Sequence, residues 1–269
     1  MKHLFKDWEA IQGRIQQARV IFLFLDYDGT LIPIVSRPEL AVCPVKVKRL
    51  LETLRDLPGV HLAVVSGRSL EDVRRKVGVA GITYVGNHGL EIEKPGARRK
   101  NMFVSTGAPE LKEITRNVQK ALQDLPGILF EEKGPILSVH YRNVPRKYST
   151  QIHRVVEEEL RSWKGRWKTA SGKRVLEIRP NADFNKGSAV EQLLKMFPSL
   201  NLLPVYLGDD QTDEDAFRVL KGRGISVFIG APRFPSGADF FLRNPAEVHE
   251  FLHRCLVVRR PGCSDPEAP

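Results

Sequence analysis

The sequence predicts an α/β fold in which a parallel-sheet core is interrupted by an inserted α+β domain. Three observations lead there. Apolar runs of strand length alternate with amphipathic helical stretches over the first hundred residues. After about residue 100 the order becomes helix, strand, strand, helix, strand, strand. From Lys186 onward the strand–helix alternation returns. Alternation favours a parallel sheet with right-handed crossovers, whereas paired strands favour an antiparallel sheet with helices on one face. The expected organisation is a discontinuous Rossmann-like core at residues 1–100 and 181–269. The insertion, at 101–180, has an antiparallel sheet and two helices.

Each element has its own signal. A helix is expected near residues 8–18. Residues 20–25 form a continuous apolar run, as in a strand buried on both faces. Pro44 opens a helix whose apolar face is Val47, Leu50, Leu51, Leu54 and Leu57, closed by Pro58-Gly59. A second buried strand covers 61–65. Ser69 caps the following helix, with Asp72 three residues on. A third short strand, 83–85, ends at Gly86. In the insertion, Leu111, Ile114, Val118, Leu122 and Leu125 mark a helix beginning near Pro109. Strands at 128–131 and 136–141 precede a helix carrying Ile152, Val155, Val156, Leu160 and Trp163, and strands near 167 and at 174–178 follow. The second part of the core adds helices at about 187–196, 213–220 and 245–255. Its strands are expected at 202–207, 225–229 and 240–242.

Composition excludes several classes of protein. Of 269 residues, 42% are hydrophobic and 28% charged, which suits a globular chain and argues against general disorder. The longest aliphatic and aromatic run is far too short to cross a bilayer. The first residues carry an acid and no apolar block, unlike a secretory signal. Three cysteines (Cys43, Cys255 and Cys263) lack the spacing of a disulfide framework or zinc site. A reduced, cytoplasmic setting is therefore expected. The net charge of +10 attracts anions. The basic residues are dispersed and not interleaved with aromatics, and the densest cluster, Arg98-Arg99-Lys100, reads as a solvated turn. A phosphorylated small molecule is the simplest partner, with neither nucleic acid nor membrane expected.

Two acidic clusters fall where a parallel sheet binds its ligands, beyond the carboxyl ends of apolar strands. Asp26-Tyr27-Asp28-Gly29-Thr30 follows the first buried strand. An Asp-Gly turn explains Asp28-Gly29 but not Asp26, and the two carboxylates repel unless a cation or substrate intervenes. The second cluster is Gly208-Asp209-Asp210-Gln211-Thr212-Asp213-Glu214-Asp215. Thr212 and Asp215 read as a capping pair for the helix that follows, which leaves Asp209 and Asp210 unexplained. Hard oxygen ligands of this kind suit Mg²⁺. Ser66-Gly67-Arg68 follows the second strand, where a hydroxyl and helix-start amides can hold an anion. Lys186 stands at a helix start, the unfavourable end for a cation unless an anion offsets it.

In order, Asp26-x-Asp28, Ser66, Lys186 and Asp209-Asp210 resemble the four motifs of the haloacid dehalogenase-like superfamily. Asp at the second position of the first motif marks its phosphohydrolases and phosphomutases. The insertion resembles the larger cap of the sugar-phosphate phosphatases. A finer resemblance is to the trehalose-6-phosphate phosphatase family. It runs through Leu25 to Leu31, Ser66-Gly67-Arg68, Gly86-Asn87-His88-Gly89 and Glu131-Glu132-Lys133-Gly134. It continues through His140-Tyr141-Arg142, the stretch from Gly172 to Pro180, Asn185-Lys186-Gly187 and Gly208 to Glu214.

That resemblance implies Mg²⁺-dependent hydrolysis of trehalose 6-phosphate. Asp26 is the expected nucleophile and Asp28 the acid and base, while Ser66 and Lys186 hold the phosphoryl oxygens. The metal falls to Asp26, Asp209 and the Asp28 backbone carbonyl, with Asp210 and Asp213 orienting metal-bound waters or Lys186. Substrate contacts fall to Gly67, Arg68, Asn87 and His88 in the core and to Glu131, Lys133, Arg142, Lys173 and Glu177 in the cap. Glu131 and Lys133 alternate on one strand and so share a face, where they can accept from and donate to vicinal hydroxyls. His140 is expected to support the sheet. The alternatives are a phosphatase for sucrose phosphate or mannosylglycerate phosphate, a phosphomutase, and a non-catalytic sugar-phosphate-sensing partner of a synthase. The intact Asp26, Asp28, Lys186 and Asp209 argue against the last. A monomer is expected, with a trehalose-phosphate synthase as a candidate protein partner.

Overall fold

The computed structural model describes residues 1–35, 37–96, 101–102, 108–172, 174–181, 184–197, 201–231 and 235–260. In chain order the elements are β1 (Lys2–His3), α1 (Trp8–Gln17), β2 (Val20–Asp26), α2 (Val45–Arg55), β3 (Val60–Val65), α3 (Leu70–Val77), β4 (Thr83–Gly86), β5 (Glu91–Glu93) and β6 (Asn101–Met102). There follow α4 (Ala108–Leu122), β7 (Leu129–Lys133), β8 (Ile136–His140), α5 (Ser149–Leu160), β9 (Trp167–Gly172) and β10 (Val175–Pro180). The last group is α6 (Lys186–Leu194), β11 (Leu202–Gly208), α7 (Glu214–Leu220), β12 (Ile225–Ile229), β13 (Phe240–Leu242) and α8 (Pro245–Arg259). These elements form two compact units, Met1–Asn101 with Phe184–Pro269, and Met102–Asp183.

In the first unit the strand order is β1-β13-β12-β11-β2-β3-β4-β5-β6. Pairing is parallel from β1 to β4. The sheet then turns antiparallel at β5, which pairs Val85 with Ile92. The segment between β4 and β5 is too short for a crossover helix, so the chain doubles back as a hairpin. Every residue of β2 is buried, as its unbroken apolar run requires of a central parallel strand. Ile11 and Ile15 of α1, Val47, Leu51 and Leu54 of α2, and Phe251, Leu252 and Leu256 of α8 fill the core beside it.

Caps set the helix starts. Ser69 accepts from Asp72 N–H at α3, and Asn185 and Ser188 form a reciprocal box at α6. Helix α8 runs a full turn beyond the expected end near Cys255. The reason is Arg259, whose guanidinium donates to the carbonyls of Ala18 (2.8 Å) and Arg19 (3.2 Å) at the end of α1. Cys43 and Cys255 are free and buried. Among the described residues no helix is long and apolar enough to cross a membrane.

The second unit is a four-stranded antiparallel sheet, ordered β7-β8-β10-β9. Leu137, Val139, Leu176 and Ile178 pack one face against Leu111, Ile114 and Val118 of α4 and Ile152 and Val156 of α5. Helix α5 ends before Trp163, which lies in a short 3₁₀ turn. The other face carries a polar cluster beside Leu129, Ile136 and Val175. Its central row is Glu131, Ser138 and Glu177, paired directly across three strands.

Candidate active site

Asp26 is the last residue of β2 and Lys186 the first of α6, and both are buried. Lys186 Nζ donates to Asp26 Oδ1 and to Asp213 Oδ1, each at 2.7 Å. The Tyr206 hydroxyl, reaching from β11, donates to the same Asp213 oxygen at 2.7 Å. The other oxygen of Asp213 accepts the backbone N–H groups of Asp209 (3.1 Å) and Asp210 (3.0 Å). Asp213 therefore has four donors and is fixed. It pins Lys186 and the turn after β11 together.

Carboxylate oxygens of Asp26, Asp209 and Asp213 lie within 4.8 Å of one another. Burial pushes the Asp26 carboxyl well above its ordinary value; the attraction of Lys186 works against this, and the charges of Asp213 and Asp209 add to it. Burial likewise lifts Asp209, with Asp213 assisting, to about 6. Burial alone would disfavour the Lys186 ammonium, but Asp26 and Asp213 outweigh it and raise its pKa. The site thus holds more anionic character than its one lysine neutralises. Gly29 makes this crowding possible. It sits at φ +92°, and a Cβ there would fall 2.1 Å from Asp209 Oδ2.

Asp28 is turned elsewhere. Its carboxylate takes both arms of Arg68, at 2.5 and 2.7 Å, and Arg68 also donates to Asp72 at 2.9 Å. Hydrogen bonds from Arg68 to Asp28 outweigh burial and raise the guanidinium pKa. In this structure Arg68 is committed to two carboxylates. Ser66 is buried, and its hydroxyl accepts from Arg68 N–H at 3.1 Å. The His88 ring packs so close to Gly67 that a Cβ there would lie 2.5 Å from Cε1.

One sequence expectation needs correction. The cap of the turn before α7 is Asp210, which accepts from Gln211 N–H at 2.7 Å and forms a reciprocal box with Asp213. Thr212 and Asp215 are not that pair, because a 3₁₀ turn, Gln211–Asp213, precedes the helix. With Asp210 exposed and engaged as a cap, it is Asp213 that orients Lys186. His140 ties two strands of the sheet together: its Nε2 lies 2.8 Å from Glu131 Oε2 on the neighbouring strand, and Lys133 Nζ lies 3.1 Å from the same oxygen. Burial opposes ionisation of Glu131, but these two partners prevail and lower its pKa. Glu177 is half-buried and Arg142 exposed. Lys173 lies outside the described residues.

Tyr206 and Ser138 escaped the sequence reading. Tyr206 carried one signal, a lone polar tip in an otherwise aliphatic strand. Ser138 is fully buried, and its hydroxyl has no hydrogen-bond partner among the described residues.

A buried aspartate ending the central parallel strand, held by a lysine from the far side of a chain insertion, is the arrangement that the resemblance to haloacid dehalogenase-like phosphohydrolases implies. The fold agrees: a haloacid dehalogenase-like hydrolase from Bacteroides thetaiotaomicron superposes with a TM-score of 0.59 at 16% identity, covering 87% of this chain and 99% of that one. Within the class the match is narrower. The trehalose-phosphatase family model matches residues 24–245, and the chain belongs to that family. It is 34% identical to trehalose-phosphate phosphatase B of Arabidopsis thaliana over 259 residues, 91% of this chain and 68% of that protein. The crystal structure of Aspergillus fumigatus trehalose-6-phosphate phosphatase superposes with a TM-score of 0.71 at 28% identity, covering 95% and 98% of the two chains. The protein is a phosphatase.

Proposed function

We propose that this enzyme hydrolyses trehalose 6-phosphate to trehalose and inorganic phosphate through an aspartyl-phosphate. The observation supporting the chemistry is the buried Asp26–Lys186–Asp213 assembly. The relatives, named for that substrate, support its identity. Asp26 attacks phosphorus, which divides one difficult displacement into two easier ones. Lys186 Nζ and Ser66 Oγ stabilise the phosphoryl oxygens as charge develops. Asp28, once released from Arg68, protonates the leaving sugar oxygen and later takes the proton of the attacking water.

The donor set fits Mg²⁺: hard carboxylate oxygens converge, and the raised pKa values of Asp26 and Asp209 mark charge that a divalent cation relieves. Asp26, Asp209 and the Asp28 backbone carbonyl would hold the ion. Bound there, it supplies Lewis-acid neutralisation that lets one anion attack another. Chelation with EDTA is therefore expected to abolish phosphate release. Mg²⁺ at about a hundred times its dissociation constant is expected to stabilise the protein by ~2.7 kcal/mol, measured as a rise in Tm, with a much smaller rise in Asp209→Asn.

The polar cluster on this face of the inserted sheet supports recognition of the sugar. Glu131, Lys133 and His140 form one accepting and donating cluster, and the Ser138 hydroxyl, without a hydrogen-bond partner among the described residues, lies between Glu131 and Glu177. Phosphate release from a panel of disaccharide and monosaccharide phosphates tests the substrate. Glu131→Ala, Lys133→Ala and Glu177→Ala are each expected to lower kcat/KM for trehalose 6-phosphate by at least ~10-fold, about one polar contact. Hydrolysis of p-nitrophenyl phosphate is expected to stay nearly unchanged. Equal losses on both substrates would contradict sugar recognition by this face, and faster turnover of another sugar phosphate would reassign the substrate.

A further inference from the structure

We infer that Glu91, which belongs to none of the four motifs, is a positioning residue that sets the Ser66–Arg68 loop through Asn87. The inference rests on the reading that Ser66 holds the phosphoryl group. Glu91 lies on β5 and is only 5% exposed. A carboxylate buried this deeply requires specific donors. One of its oxygens, Oε2, accepts from Leu70 N–H at 3.2 Å and from the Asn87 side-chain amide at 2.6 Å. The first bond places a negative charge at the N-terminus of α3, where the helix dipole favours it.

The second bond reaches an unusual turn. Asn87 and His88 have φ of +48° and +55°, two successive non-glycine residues in the left-handed region. Such strain persists only where neighbouring structure over-determines it, and it collects at functional sites. Here the turn presents two N–H groups to the loop after β3. Asn87 N–H donates to Arg68 O at 2.7 Å, and His88 N–H donates to Ser66 O at 3.0 Å. One carboxylate thus fixes both the helix that follows Ser66-Gly67-Arg68 and the turn that supports it from beneath. Without Glu91 the helix start and the turn lose their common anchor, and Ser66 is free to drift from its place.

The test compares Glu91→Ala with Glu91→Gln in the full chain with Mg²⁺, using p-nitrophenyl phosphate, and follows kcat, KM and Tm. Gln keeps a carbonyl oxygen able to accept from both donors. Glu91→Ala is expected to lose at least ~10-fold in kcat well below its Tm, while Glu91→Gln stays within about twofold of the parent. In the double variant with Ser66→Ala, the Glu91→Ala loss is expected to shrink, because the two act on one element. Should Glu91→Ala fail to fold, Glu91→Asp serves instead: the carboxylate is kept but, one methylene shorter, falls short of both donors. The same loss in kcat is then expected. A lowered Tm with unchanged kcat in the folded variant would overturn the inference, as would a Gln variant as slow as Ala. If Ser66→Ala alone retains full activity, the reading of Ser66 falls and this inference falls with it.

Discussion

Replacing Lys186 with Met is expected to destabilise the protein by about 3–5 kcal/mol and to abolish phosphate release. The size of the effect follows from burial. Lys186 is 3% exposed and Asp213 0%, so both partner carboxylates lose their cation where water cannot replace it. Removing one member of a buried ion pair has this cost because the remaining charge is left uncompensated. The double variant Lys186→Met with Asp26→Asn is expected to recover part of the loss, since one of the stranded charges is then gone. Urea unfolding of the four proteins in this cycle gives the coupling directly. If the single and double variants unfold at the same midpoint, the buried pair is not what Lys186 contributes.

Asp26→Asn alone is expected to act in the opposite sense on stability. Activity is expected to fall by on the order of 10⁴-fold or more, as removal of the proposed nucleophile entails. Stability at neutral pH stays level or rises, because the ionised Asp26 is disfavoured in the fold by its own burial and by Asp213 and Asp209. A site whose charges oppose folding is the usual signature of function set against stability. Thermal unfolding in EDTA, which removes the contribution of any bound cation, is the appropriate measurement. A marked drop in Tm for this variant would mean that Asp26 is principally a structural partner of Lys186.

Much of this architecture was readable because its strands are buried on both faces. Residues 20–25 and 202–207 could be assigned from composition alone, and the acids that end them stood out against it. β1, β5 and β6 were not readable, since two or three residues establish no period. The same limit hid Glu91, an ordinary acid between Leu90 and Ile92 in a short strand. Asp213 illustrates another limit. Acids at a helix start are common for electrostatic reasons, and nothing local distinguishes one that caps from one that receives a lysine many residues away. The Arg68–Asp28 pair was invisible for the same reason: the sequence lists both groups but not their distance. Ser138 could not be recognised without register, because only the pairing of β7, β8 and β10 reveals that it stands between two glutamates.

The pairing of β2 with β11 also bears on how the chain folds as it is made. Val20 pairs with Leu202, so the most apolar strand of the core is synthesised long before its neighbour on that side. In the inserted unit, by contrast, Lys133 pairs with Ile136 across a tight hairpin. Contacts close in sequence form sooner than distant ones. The inserted unit is therefore expected to reach its native pairing on the ribosome while β2 still lacks β11. During that interval six successive apolar residues of β2 are without half of their cover, and a nascent strand of this kind is prone to pair with another chain. Only the arrival of β11 supplies the missing cover on that side.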